Sequence, residues 1–213
     1  ILATRRKNMA IETAMYVPFL SENIVPGEDE QQKYREICDD LLEDHPDEWG
    51  AEWARECGTW NSHGIMSNIL SEDERFSELR DKITPRISDY IDALGINTEK
   101  HELELHESWV NAAKPKHFQE CHVHEFSYIS GVYYIHTPEN AGDFKMENPL
   151  AFEWSFDTFA DSPLHHRKTV EPYTGMLILF PSNIDHHVTK NMSDEMRYSL
   201  AFNVRTKRVE KYA

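Results

Sequence analysis

Two histidines stand two residues apart in the stretch CHVHEF, Cys121 to Phe126. Imidazole is the commonest protein ligand for metal ions, and side chains alternate faces along a β-strand. On a strand, His122 and His124 would therefore point the same way and could close on one ion. A single strand presents only one edge of a coordination sphere, so a metal centre needs a further ligand from a distant strand. LILFPSNIDHHVTK offers one: Met176 to Phe180 reads as a buried strand, Pro181 to Ile184 as a turn, and His186 or His187 as the start of the next strand. Adjacent residues face opposite sides, so only one of these two points inward.

Further on, RYSLAFN places Arg197, Ser199, Ala201 and Asn203 on one strand face and the apolar Tyr198, Leu200, Phe202 and Val204 on the other. The apolar set belongs to packing. An Arg and a Ser two apart beside a metal suit a ligand carboxylate, because guanidinium binds carboxylate through parallel N–H bonds and the hydroxyl adds another. A buried Arg without such a partner would be costly.

Helices precede these strands. Tyr34, Ile37, Cys38, Leu41 and Leu42 recur at helical spacing between Glu30 and Asp44, and Pro46 ends the run. Ser71 and Glu74 read as a capping box, followed by the stripe Phe76, Leu79, Ile83, Ile87, Ile91 and Leu94, with a kink at Pro85 and a stop at Gly95. From about His101 the period changes to two, in ELELHESWVNA, SYISGVYYI, AFEWSF, GMLILF, DHHVTK and MRYSLAFNV. The expectation is a single domain over 1–213. Its fold is mainly β with flanking α, a mainly helical layer over 1–100 packed on an antiparallel sandwich or barrel over 101–206, of which the jelly roll is one choice.

The composition narrows the partners. Hydrophobic residues make up 39% and charged residues 28% of 213, and no apolar run reaches a membrane span, so a globular chain without membrane partners is expected. A net charge of −16 opposes a phosphate backbone, which argues against nucleic acid and leaves neutral or cationic substrates less opposed. Cys38, Cys57 and Cys121 are odd in number and lack CxxC spacing, which points to a reducing, cytoplasmic setting. ILATRRKNM lacks the apolar segment of a secretory signal, and Met9 is a candidate start preceded by eight residues of other origin. Pairing of two copies through the helical layer is compatible with all of this.

HVH before SGVYYI, then GMLILFPSNIDHHV, then RYSLAFN resembles the 2-oxoglutarate and iron(II)-dependent oxygenases, within a subfamily of oxygenases that lack an assigned substrate. The resemblance runs from about Tyr16 to Val204 and includes WNSHG at Trp60 and SWVNAA at Ser108. It implies a double-stranded β-helix, His122 and His186 as iron ligands, and Arg197 and Ser199 as the element that holds the far carboxylate of 2-oxoglutarate, with Tyr134 a further cosubstrate contact. The family's usual third ligand is Asp or Glu two residues after the first His, and here that place holds His124. Glu125 and Asp185 neighbour these histidines but should face away.

The resemblance further implies Fe(II), 2-oxoglutarate and O2 as cofactor and cosubstrates, and hydroxylation of a substrate C–H bond coupled to succinate formation. Trp109 and Asn111 share a strand face and are candidates for the substrate pocket, although Trp109 also suits a core, as do Trp49, Trp53 and Trp60. Two readings stand beside the leading one. A cupin-like three-histidine enzyme without 2-oxoglutarate explains His124 better but gives Arg197 and Ser199 no task. A non-catalytic jelly-roll binding module needs no metal chemistry at all. The substrate, whether small molecule or protein side chain, carries no motif; His63, His101, His106, His117, His136, His165 and His166 read as loop, surface or rim residues.

Overall fold

A computed structural model describes residues 18–47, 57–98, 101–151 and 165–208. Two antiparallel sheets face each other as a double-stranded β-helix. Among the described residues, the larger has six strands in the order β1 (Leu20–Asn23), β8 (Met176–Pro181), β5 (Ile129–His136), β10 (Arg197–Arg208), β3 (His101–Ala113) and β2 (Thr59–Asn61). The smaller has β4 (Gln119–His122), β9 (His186–Val188), β6 (Phe144–Glu147) and β7 (Arg167–Val170).

Helices α1 (Glu28–Asp44), α2 (Ile69–Glu72) and α3 (Ser77–Leu94) contribute to the layer on the outer face of the larger sheet. The predicted helical stripes are borne out: Tyr34, Ile37, Cys38 and Leu41 of α1 and Leu79, Ile83, Ile87 and Ile91 of α3 are buried. They meet the outward face of β10 and β5, where Tyr198, Leu200, Phe202, Val204, Tyr133 and Ile135 complete one core. Polar ties cross the same seam, with the Tyr198 hydroxyl donating to Asp39 at 2.5 Å and the Trp60 indole N–H to the His45 carbonyl at 2.9 Å.

One expectation is corrected. Ser71 lies inside the short α2 and caps nothing; the side chain of Asp73 accepts from Arg75 N instead, and Glu72 reaches back to Asn68 N at 2.9 Å. Short polar runs prefer local side-chain to backbone bonds, which splits the segment before the apolar stripe begins. Helix α3 runs through Pro85 and ends, as expected, on Gly95 in the left-handed conformation at φ 69°. Besides these helices, the first hundred residues contribute β1 and β2, which pair with β8 and β3 at the two margins of the larger sheet. The expected strand AFEWSF, and Trp49 and Trp53, lie outside the described residues, apart from Ala151, which is in no strand.

Alternation gives the larger sheet two unlike faces. Opposite the helices, Arg197, Ser199 and Ala201 of β10, Val132 and Tyr134 of β5 and Phe180 of β8 turn towards the smaller sheet. Gly131 lies on the helical side, where a Cβ would sit 2.1 Å from Cζ of the buried Phe202 ring. The ring occupies the place of the absent side chain. Gly131→Ala is therefore expected to lower stability by about 1–3 kcal/mol, the usual cost of overpacking a filled core, read as a lower urea midpoint at unchanged slope; an unchanged midpoint would mean that Phe202 moves aside freely.

Candidate metal centre

β4 and β9 pair antiparallel with His122 directly opposite His186. That register brings together two side chains that are far apart in sequence, with ring centroids 4.3 Å apart. His124 completes the group: one ligand atom from each of the three histidines lies within 4.8 Å of the others. No other group of three or more His, Cys, Asp or Glu side chains with metal-binding spacing occurs among the described residues, and neither Glu125 nor Asp185 joins this one.

The route by which His124 arrives differs from the expectation. Strand β4 ends at His122, so His124 is not its neighbour on a regular strand face. Its backbone N–H donates to the Ser182 carbonyl at 3.0 Å, which fixes the segment after the strand against the turn that precedes β9. His187, on the opposite side of β9 from His186, lies 3.6 Å from Glu147 and lines a different surface groove.

The donor set suits a cation. Nδ1 of His122 bonds the Glu120 carbonyl at 2.8 Å and Nδ1 of His186 the Ile184 carbonyl at 2.9 Å. A carbonyl only accepts, so Nδ1 carries the hydrogen and Nε2 keeps its lone pair for a metal. Burial, reinforced by the neighbouring imidazoles, pulls His186 down to about 2 and His124 to about 4, and burial lowers His122 too. All three are thereby held neutral, the form that ligates. Phe180 and Phe144 pack on the His186 ring at 4.6 and 5.7 Å between centroids and support its orientation.

The same cavity contains the predicted carboxylate-binding residues. Arg197 is 4% exposed, and its Nη1 donates to the Ala141 carbonyl at 2.5 Å. Among the described residues, the influences on it are burial and Tyr134, with no carboxylate among them. Burial lowers its pKa, as expected for a guanidinium without a counter-ion. The Ala141 carbonyl reaches it because Gly142, at φ 93°, lets the chain pass so close to β9 that a Cβ there would meet the Thr189 carbonyl oxygen at 2.4 Å. Ser199 and Tyr134 line the cavity with Arg197, and the buried Tyr134 hydroxyl has no hydrogen-bond partner among the described residues. A buried guanidinium, a hydroxyl without a partner and three neutral imidazoles around one cavity fit iron(II) together with a dicarboxylic 2-oxoacid.

Trp109 and Asn111 also face this cavity, and Asn111 accepts from Asn61 Nδ2 at 2.9 Å. A second, outer cavity adjoins the first and shares Trp109, Gln119, His122 and His124 with it. Its wall includes Asn61, His63, Glu107 and Glu120. Glu107 was not singled out from the sequence, although the alternation that pairs Trp109 with Asn111 extends back to it.

Residues 107–203, a little under half of the chain, match the family described as "Putative 2OG-Fe(II) oxygenase". Among curated proteins nothing matches. Solved structures share the fold. HygX from Streptomyces hygroscopicus, determined with nickel and 2-oxoglutarate bound, superposes with a TM-score of 0.61 at 14% identity, over 89% of this chain and 82% of that one. A Pseudomonas putida prolyl-4-hydroxylase gives 0.57 at 16% identity over 88% and 92%. The non-heme α-ketoglutarate-dependent carbocyclase SnoK from nogalamycin biosynthesis gives 0.59 at 15% over 87% and 79%.

If the three histidines form one centre, excess Ni(II) at about a hundred times Kd should raise the melting temperature by roughly 5–10 °C. His186→Ala should abolish most of that rise. An equal rise in the variant would place the ion elsewhere. Residues 107–203 are thus similar to the 2OG-Fe(II) oxygenase family, and the chain shares the fold of solved structures of such enzymes.

Proposed function

We propose that the protein is a 2-oxoglutarate-dependent dioxygenase, most simply a hydroxylase, in which His122, His124 and His186 hold iron(II) and Arg197, Ser199 and Tyr134 bind the far carboxylate of 2-oxoglutarate. The observation that carries the reading is the buried Arg197, turned into the cavity of the three histidines with only carbonyl oxygens as hydrogen-bond acceptors among the described residues. The chemistry that iron(II), 2-oxoglutarate and dioxygen supply when bound is decarboxylation of the 2-oxoacid to succinate, coupled to oxidation of a substrate C–H bond.

The remaining work belongs to the chain. His122, His124 and His186 would hold the ion, and the cavity wall that carries Arg197, Ser199 and Tyr134 would receive the cosubstrate. Being neutral, the imidazoles leave the ion's double charge to be balanced by the dianion that Arg197 and Ser199 orient, so metal and cosubstrate should bind cooperatively. Arg197 offers a rigid fork that matches a carboxylate, and the Ala141 carbonyl fixes the angle of that fork. The Tyr134 hydroxyl and Ser199 Oγ are further donors on the same wall, while Phe144, Phe180 and Val188 exclude water from it.

The all-imidazole donor set also suits a cupin-like enzyme without a 2-oxoacid, but that reading leaves Arg197 buried for no purpose. We read the chain as one domain, because α1 and α3 share a single core with the larger sheet. A cytoplasmic setting is supported by the free thiols Cys38 and Cys121. Nothing in the chemistry of the site calls for nucleic acid, and a second copy is a proposal from the sequence alone.

Anaerobic protein loaded with iron(II) should develop the weak visible charge-transfer band of a chelated 2-oxoacid. Arg197→Ala should weaken 2-oxoglutarate at least about 100-fold, from the roughly 3–5 kcal/mol cost of unpairing a buried charge. Tyr134→Phe, which removes a single neutral donor, should cost only about fivefold. A band of undiminished affinity in Arg197→Ala would overturn the assignment and favour the enzyme without 2-oxoglutarate.

A further inference from the structure

The outer cavity has a chemistry that the oxygenase reading does not use. It encloses about 330 Å³, near the lower end of the roughly 300–1,000 Å³ of small-molecule pockets. It opens onto His122 and His124, so a molecule held there stands beside the metal centre. Among the described residues, its charged wall residues are Glu107 and Glu120, with His63 the remaining ionisable group outside the metal centre, and no Lys or Arg contributes to the wall.

Glu107 is a prepared acceptor rather than a solvated surface acid. The amide of the fully buried Asn203 donates to its Oε1 at 2.6 Å, and His63 Nε2 stands 3.7 Å from its Oε2. His63 and Asn203 together hold this carboxylate down to about 2, so it is charged at neutral pH. Asn203 is itself fixed from behind, since Ser130 Oγ donates to its Oδ1 at 2.7 Å. A carboxylate offers about four lone-pair sites, and these contacts leave it room for another donor.

A second observation points to a ligand independently. Trp109 lies between the two cavities, is 7% exposed, and its buried indole N–H has no acceptor among the described residues. Buried indole N–H groups almost always find a partner. His63 and His124 flank its ring, with centroids 5.7 and 5.8 Å away, and offer it no hydrogen bond.

We propose that the outer cavity binds the oxidisable substrate, and that this substrate carries an ammonium or guanidinium group received by Glu107 and a carbonyl or hydroxyl oxygen that accepts from the Trp109 indole. The inference rests on the oxygenase reading for the word substrate, but the binding site stands on Glu107 and Trp109 alone. The same cation chemistry can come from a free metabolite or from a basic side chain of a peptide. Glu120 adds negative potential at the mouth, and the −16 net charge draws cations towards it.

The test follows the indole N–H resonances of the full chain, 15N-labelled on its five tryptophans and loaded with zinc(II) in place of iron(II). Trp109→Phe assigns the Trp109 peak. The probes are arginine, agmatine and a capped pentapeptide with a central arginine, against citrulline and glutamate. The expected result is a saturable shift of the Trp109 peak with cationic probes, at least tenfold weaker with citrulline and absent with glutamate; the peptide against agmatine tells which source fits better. Glu107→Gln should weaken the cation at least tenfold, and Glu107→Asp should retain part of the affinity. Equal shifts by citrulline, no shift with any cation, or undiminished cation affinity in a folded Glu107→Gln would each overturn the proposal. This readout needs neither iron nor turnover, so it fails separately from the oxygenase reading, whose own failure shows as a missing 2-oxoglutarate band.

Discussion

The rest of the site depends on the register of β4 against β9. Two short strands of the smaller sheet pair so that His122 and His186 are opposite one another. A slip by one residue would turn every side chain of β9 to the other face, putting His187 inward and His186 out. What holds the register is packing rather than strand length, because β9 has only three residues. Phe144 and Phe180 close on the His186 ring, β6 pairs with the other edge of β9 with Met146 opposite His186, and the Ser182 carbonyl ties His124 to the turn before β9.

The larger sheet makes this arrangement affordable in energy by separating two tasks on its two faces. Along β10, Tyr198, Leu200 and Phe202 are buried against the helices, while Arg197 and Ser199 face the cavity. The helical layer thus supplies apolar burial on one side of strands whose other side carries a guanidinium and hydroxyls. Without it, the cost of desolvating Arg197 would fall on a sheet with little core behind it. The polar line from Ser182 through Ser130 and Asn203 to Glu107 runs along the same strands and connects the backbone contact of His124 with the outer cavity.

Side-chain period was the most readable feature of the sequence. The alternation in RYSLAFN predicts both faces of β10, and the stripe from Phe76 to Leu94 predicts α3 as far as its glycine stop. Spacing paired His122 with His124 and left His186 and His187 open until the resemblance singled out His186; the place of His124 beyond the end of β4 was not legible, because a two-residue spacing looks the same on a strand and on an extended exit. β1 and β2 were not legible since LSEN and TWN are too short to show a period. Glu107 carries no signal in the sequence and His63 reads only as a loop, surface or rim residue, because charged and imidazole side chains are usually surface residues; the pairing of Glu107 with Asn203 from β10 shows otherwise.

The account comes down to three side chains around one ion and one guanidinium across from it. The most direct measurement is a crystal structure of the chain grown anaerobically with manganese(II), a redox-stable stand-in for iron(II), and 2-oxoglutarate. The account predicts metal density on Nε2 of His122, Nε2 of His186 and a ring nitrogen of His124, the 2-oxoacid end on the metal, and the far carboxylate on Arg197. An ion bound elsewhere, or a carboxylate that leaves Arg197 without an anionic partner, would contradict it.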